Sequence, residues 1–353
     1  MRALPPVALV LLLVGLLSSV GPPPEAHPRV NTSIWWTRDI SRILADRCVA
    51  CHREGGLAPM ALTDYDTARP WAVAIREEVL ERHMPPTALR AGAPRFVNAH
   101  TMSQAEIDLL VAWVDGGAFR GEPVDPPAAD EEPVPDAVVA FTAAGAPGEV
   151  PGGWTRERFR AALGERQGAA IRAWTLDVGG RAARVARLVA AGRTIASWTP
   201  LSPHIEYPDG VALVAPAELT LEIDGLAGVG TPAPPTLKVW LAREAPRQVV
   251  ERRMVDCTPT GIALAGAGAL LGLRAVPSSP DDVIDVTLVS PDLRDPLARF
   301  GPPGAPDPEL YRLHTPIPLS ANQRLVARGP AACQLEVELA VAAGAVSSRP
   351  RGR

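Results

Sequence analysis

The chain has 353 residues, enough for two domains at the usual length of about 100–200 residues each. Its 35 basic and 39 acidic residues leave a net charge of −4, with no basic block of the kind that suggests nucleic-acid binding. Lys238 is the only lysine, and the arginine bias, with 39 prolines, points to a GC-rich genome rather than to phosphate binding.

At the N-terminus a single Arg2 precedes an apolar run from Val7 to Leu17, followed by Ser18-Ser19-Val20-Gly21. A membrane-spanning helix needs roughly 20 apolar residues, so this run has the length of a secretory signal core instead. Residues 1–26 are expected to be a signal peptide cut near Gly21 or Ala26. An uncleaved anchor with peripheral membrane association is the alternative. No cysteine follows the run, so no lipid anchor is expected. The expected location is periplasmic or otherwise exported, in a bacterium.

From Thr37 the pattern is helical. Thr37 reads as an N-cap with Asp39 in the first turn, and Ile40, Ile43 and Leu44 form an apolar stripe. The stripe leads into Cys48-Val49-Ala50-Cys51-His52, a C-x-x-C-H motif. Covalent haem c needs two thiols about one helical turn apart, each making a thioether with one vinyl group, and an imidazole next to the second thiol to ligate iron. A zinc half-site would need a second Cys/His pair at metal spacing, and none follows. A redox dithiol would open a helix after a strand rather than close a helical run. One covalent haem is the expected cofactor, and export agrees with it, because bacterial haem c is attached outside the cytoplasm.

A second helix is expected from Pro70 through Trp71, Ala74, Ile75, Val79 and Leu80, stopped by Pro85. A third follows the capping box Ser103-x-x-Glu106, buries Ile107, Leu110, Val111 and Val114, and ends at Gly116-Gly117. Three helices around a haem predict a small all-α cytochrome c domain over 33–120.

A low-spin haem takes a second axial ligand, most often methionine. Met84 is the candidate, because Pro85-Pro86 fix the backbone after it and force the chain out of the helix. Met60 is expected to pack around the porphyrin edge and Met102 in the core. His83 and His100 are competing ligands. Trp71 and Trp113 fall at helical-core positions.

Residues 121–150, rich in Pro, Ala, Asp and Glu, read as a linker. Beyond it come short alternating runs: Ala212–Val214, Leu219–Ile223, Leu237–Leu241, Val283–Val289 and Leu335–Leu339. Punctuated by Pro, Gly and Asp, they predict an all-β jelly-roll-like sandwich over 151–345. Phe159 to Leu163 reads as a short helix at its entrance. Cys257 and Cys333, in an oxidising compartment, are candidates for a disulfide.

The series Cys48 to Gly55, Ala58-Pro59-Met60, Tyr65 with Ala68-Arg69-Pro70-Trp71-Ala72, Met84-Pro85-Pro86, Glu106-Ile107 and Trp113-Val114-Asp115-Gly116-Gly117-Ala118 resembles the monohaem cytochrome c domain of exported, multidomain bacterial proteins. It covers about the first third of the chain. The resemblance implies thioethers at Cys48 and Cys51, ligation by His52, and Met84 as sixth ligand. It departs at Thr87, where such proteins often carry tryptophan.

In that family a domain similar to copper type II, ascorbate-dependent monooxygenases often follows, and 150–345 resembles it weakly. Trp198-Thr199-Pro200, Tyr207-Pro208-Asp209-Gly210, Pro216 and Leu219 to Gly225 carry the likeness, with Leu237 to Val249 and Val283 to Arg294. That chemistry holds two coppers through paired histidines. Asp224-Gly225 stands where the family has His-Tyr, Asp292-Leu293-Arg294 where it has His-x-His, and Ala186-Arg187 where a His-His pair is expected. His204 and His314 are the only histidines of the β half, and neither is at a ligand position, so copper is not expected.

The sequence therefore predicts an exported electron-transfer cytochrome, with no catalytic residue of its own. A non-catalytic β domain would position it against a redox partner protein. Two alternatives stand beside it. One is an oxidoreductase whose β domain keeps a cofactor or substrate site served by the haem, and the other is a haem-based sensor or structural subunit.

Overall fold

A computed structural model describes residues 33–87, 89–92, 95–123, 133–228, 232–258, 260–279, 281–301, 309–330 and 333–344. The expected signal peptide and residues 124–132 of the expected linker lie outside them. No helix among the described residues is long and apolar enough to cross a membrane.

Trp36–Ile40 forms one wide π turn that runs into helix Ser41–Arg47. Asp39, not Thr37, secures its start, because the Asp39 carboxylate accepts the Trp35 N–H at 2.9 Å. The next helical stretch begins earlier than Pro70. Asp64 and Thr67 form a capping box at Tyr65–Ala68, Pro70 sits in the 3-10 turn Arg69–Trp71, and helix Ala72–Leu80 follows. Ser103 and Glu106 make the expected box at the start of helix Gln104–Asp115. Ile40, Leu44, Val79, Leu110 and Trp113 meet in one apolar core. Burying each side chain of this kind contributes about 1.5–3 kcal/mol.

These helices do not make a separate all-α domain. Strand accounts for 42 % of the described residues, and the helices are short. Between Ala72–Leu80 and Gln104–Asp115 the chain also leaves the helical core. Strand Leu89–Ala91 pairs antiparallel with Arg294–Phe300, Phe96 bridges Leu313, and Leu89 and Phe96 are buried among β-half side chains. The expected fold, an all-α cytochrome c domain followed by an independent all-β jelly-roll-like sandwich, is corrected accordingly. The chain is mostly β, with a helical N-terminal part stitched into it, because Leu89 and Phe96 find their apolar partners in the β half.

The largest sheet has nine strands. In neighbour order it runs Tyr311–Pro318, Ala267–Val276, Gln334–Ala342, Gln248–Asp256, Val211–Val214, Ala170–Asp177, Thr236–Leu241 and Ala137–Ala140, with His204–Glu206 added on Ala170–Asp177. One of its faces meets a six-stranded sheet of Thr142–Ala143, Trp154–Ala162, Glu218–Gly225, Ala183–Ala190 and Arg193–Trp198, with Gly148–Val150 also on Trp154–Ala162. Trp174, Leu176 and Leu237 from the first pack with Phe159, Leu188 and Leu221 from the second. The far end of the nine-stranded sheet packs on Leu89–Ala91, Arg294–Phe300, Ile284–Val289 and Arg324–Arg328, burying Leu273, Val337, Ile284 and Leu297. Two β-sandwiches thus share one long sheet.

Two local expectations are corrected here. Residues 137–150 of the expected linker carry strands that complete both sheets. The expected helix over Phe159 to Leu163 is the end of strand Trp154–Ala162, whose eight register pairs with Glu218–Gly225 outweigh the local preference of Ala161-Ala162 for helix.

Candidate functional site

Helix Ser41–Arg47 ends where the motif begins, and the motif closes one further turn. The N–H groups of Cys51 and His52 both donate to the Cys48 carbonyl, at 3.1 and 2.9 Å. The two thiols and the imidazole are therefore held on one tight turn. The chain then folds back over it, with the Ala58 N–H on the Cys51 carbonyl and the Leu62 N–H on the His52 carbonyl. Gly56 is required there, because a Cβ would run into the Cys51 carbonyl oxygen.

Neither thiol is in a disulfide; Cys48 is buried and Cys51 half-buried. Burial pushes the Cys48 thiol up to about 12, aided by Cys51 and opposed by Arg47. Burial raises Cys51 as well, against Arg53. A redox-active dithiol needs the opposite shift. His52 is 9 % exposed. Burial lowers its pKa, partly opposed by the Met60 backbone beside the ring. Its Nδ1 is buried without a hydrogen-bond partner, a costly state for an imidazole that nothing ligates.

Met84 follows the end of Ala72–Leu80, where it is 38 % exposed and its N–H donates to the Glu78 carbonyl at 3.3 Å. Met102 is buried in the helical core, as expected, and Met60 is packed against that core. The Met60 backbone lies beside the His52 ring. His83 faces Glu78 and Glu81 at 3.5 and 3.3 Å on the surface. His100 is half-buried in the turn after Asn98. Trp113 is core, whereas Trp71 is exposed, against expectation.

In the β half, Asp224 and Arg187 are brought together, but as an ion pair. Arg156 donates to Asp224 at 2.6 and 2.8 Å, and Arg187 at 2.8 Å. Burial raises the Asp224 carboxyl, yet the two guanidiniums hold it below the usual carboxylate range. Asp292 and Arg294 are exposed, at a turn and strand start in a different sheet. His204 is also exposed, bonded to Thr175 at 2.8 Å and edge-on to Trp240. His314 lies on Tyr311–Pro318, at one end of the strand path and five strands along it from Ala170–Asp177, the pairing partner of the His204 strand. The strands between separate them by roughly 24 Å at about 4.8 Å per strand.

Sequence reasoning missed the charged groups buried in this half. Arg252 donates to Glu338 at 2.9 and 3.1 Å and to Glu336 at 3.2 Å. Arg274 also reaches Glu336, at 2.7 Å, and Arg312 reaches Glu338, at 3.2 Å. Burial raises both carboxyls, and the guanidiniums more than offset it. Nearby, Glu309 is held by Asn98, Ser202 and Thr199. Leu335-Glu336-Val337-Glu338-Leu339 looks like a strand with one wet face, and no local signal marks those glutamates as internal.

No family model matches the chain, and no curated protein matches it. Among solved structures it is similar to the major capsid protein P2 from Bacteriophage PM2, at 10 % identity and a TM-score of 0.27. That likeness covers 58 % of this chain and 97 % of the other.

Proposed function

We propose that the chain is an exported c-type cytochrome carrying one covalent haem for electron transfer. The observation that carries this reading is the single turn bearing Cys48, Cys51 and His52. Two thiols outside any disulfide sit there with a buried imidazole. That donor set fits a haem held by two thioethers and one imidazole. When bound, such a haem supplies one-electron chemistry at its iron.

Cys48 and Cys51 would hold such a group to the chain, so that it would stay when the fold opens. His52 would ligate such a haem, and Met84, on the loop after Ala72–Leu80, is the residue that would supply the sixth ligand. The apolar core around Leu44, Val79 and Leu110 keeps water from the site. The β half is non-catalytic and positions the protein against a redox partner. Residues 1–26 direct export to the periplasm or beyond.

Copper does not fit the β half. The Asp224 carboxylate is taken by Arg156 and Arg187, and an arginine cannot deprotonate to become a ligand. His204 and His314 lie on well-separated strands.

The test is acid–acetone extraction of protein matured in a host that attaches haem c. Colour should stay with the polypeptide, and a Cys48→Ala, Cys51→Ala double variant should lose it. Extraction of haem from the unmodified chain overturns the reading.

A further inference from the structure

Met84 stands where the chain leaves the helical core for the β core. Its near end is fastened to the helix, since the N–H groups of His83 and Met84 both donate to the Glu78 carbonyl, at 3.0 and 3.3 Å. Its far end is fastened to the β half. Three residues on, the Thr87 hydroxyl shares a 2.7 Å hydrogen bond with the Tyr311 hydroxyl and accepts the Leu89 N–H at 3.2 Å. Tyr311 is 2 % exposed and wedged between Phe96 and Phe300, with ring centroids 5.9 and 5.7 Å away.

Beyond Thr87 the crossing is locked down. Leu89 and Phe96 are buried in the β core. Gly92 has φ +91°, and a Cβ there would run into the Leu297 carbonyl oxygen, so the backbone lies directly on strand Arg294–Phe300. Between Met84 and Thr87 stand only Pro85 and Pro86, whose φ angles are fixed by their rings. A constraint at Thr87 therefore reaches Met84 with little slack.

We propose that Tyr311 is a positioning residue for Met84: through the Thr87 hydroxyl, the β half fixes the loop that offers the sixth ligand. This rests on the haem reading above. A loop tied at both ends gives up less conformational entropy on ligation than one tied at a single end. The β half then has a part in the site itself, besides positioning the protein against its redox partner.

The test compares the ferric holoprotein with Tyr311→Phe, Thr87→Val and Thr87→Ser, reading the far-red sulfur-to-iron band and the affinity for added imidazole, which competes for the sixth position. Tyr311→Phe keeps the ring packing and loses only the hydroxyl. It should weaken the band and raise imidazole affinity about fivefold, the factor a typical net hydrogen bond represents. Thr87→Val should do the same, Thr87→Ser should restore the parent values, and the Thr87→Val, Tyr311→Phe double variant should be no worse than either single change. Should Tyr311→Phe fail to fold, the Thr87→Val and Thr87→Ser pair decides alone. Unchanged band and affinity in protein that retains its haem overturn this inference and leave the haem reading standing. Haem extracted from the parent overturns both.

Discussion

Arg187 donates to Asp224 at 2.8 Å between neighbouring strands of the six-stranded sheet, at positions where the resemblance to copper monooxygenases expects imidazoles. Arg156, directly opposite Asp224 on the other neighbour, completes the cluster at 2.6 Å. The folded carboxyl titrates below its usual range, so its contribution is fully present above the unfolded value near 3.9. That contribution is lost as pH falls through the lower, folded value. Asp224→Asn should cost about 2–3 kcal/mol at pH 7, because it leaves two guanidiniums short of a partner. It should also remove part of the acid sensitivity below about pH 4. Urea unfolding at pH 7 and pH 3 reads both, and an unchanged midpoint at pH 7 would refute the prediction.

Dialysis against copper should leave iron near one per chain and copper well below one. Stoichiometric copper that disappears in a His204→Ala, His314→Ala double variant would reverse the assignment of the β half.

Met84→Ala should abolish the far-red band of the oxidised protein, and Met60→Ala should keep it. The reason is position. Met84 stands at the Pro85-Pro86 exit from helix Ala72–Leu80, whereas Met60 is packed against the helical core. The reverse result would move the ligand to Met60.

Cys257 and Cys333 are bonded, with their Cα atoms 5.4 Å apart and 76 residues of sequence separation between them. Closing a loop of that length should stabilise the chain by about 4 kcal/mol in chain-entropy terms. Reduction should therefore lower the thermal midpoint, and without reduction neither thiol should alkylate. Free alkylation of both would contradict the bond.

Tyr207 is fully internal; its hydroxyl accepts the Trp174 indole N–H at 3.3 Å. Burial, with the charge of Glu338, pushes its pKa up to about 12, whereas the unfolded value is about 10. The folded state thus holds this proton more tightly. Stability from it is present below pH 10 and is lost as pH rises from about 10 to 12. Tyr207→Phe should flatten the unfolding free energy over that window while costing about 1 kcal/mol at pH 7. A slope identical to the parent's would count against it.

Local chemistry made part of the molecule readable in advance. The turn Cys48 to His52, the capping box at Ser103 and Glu106, and the strands around Leu219, Leu237 and Leu335 each announce themselves within a few residues. The strand Leu89–Ala91 does not, because three residues carry no periodicity and their partner strand begins some 200 positions on. Trp154–Ala162 was read partly as helix for a related reason: its sheet partner, Glu218–Gly225, is remote, and pairing overrides local propensity.

The C-x-x-C-H register alone sets the donors offered at one turn, because two thiols and an imidazole at that spacing need only a helical backbone to converge. Tertiary structure alone decided how the halves join and which charges go inside. Glu338 can sit at 0 % exposure only because Arg252 and Arg312 arrive from other strands. The loop carrying Met84 is tied to the β half only because Tyr311, 224 residues from Thr87, is folded against it. Long-range pairing of this kind leaves no mark in the local pattern of either segment, since each finds its partner only once the sheets have formed.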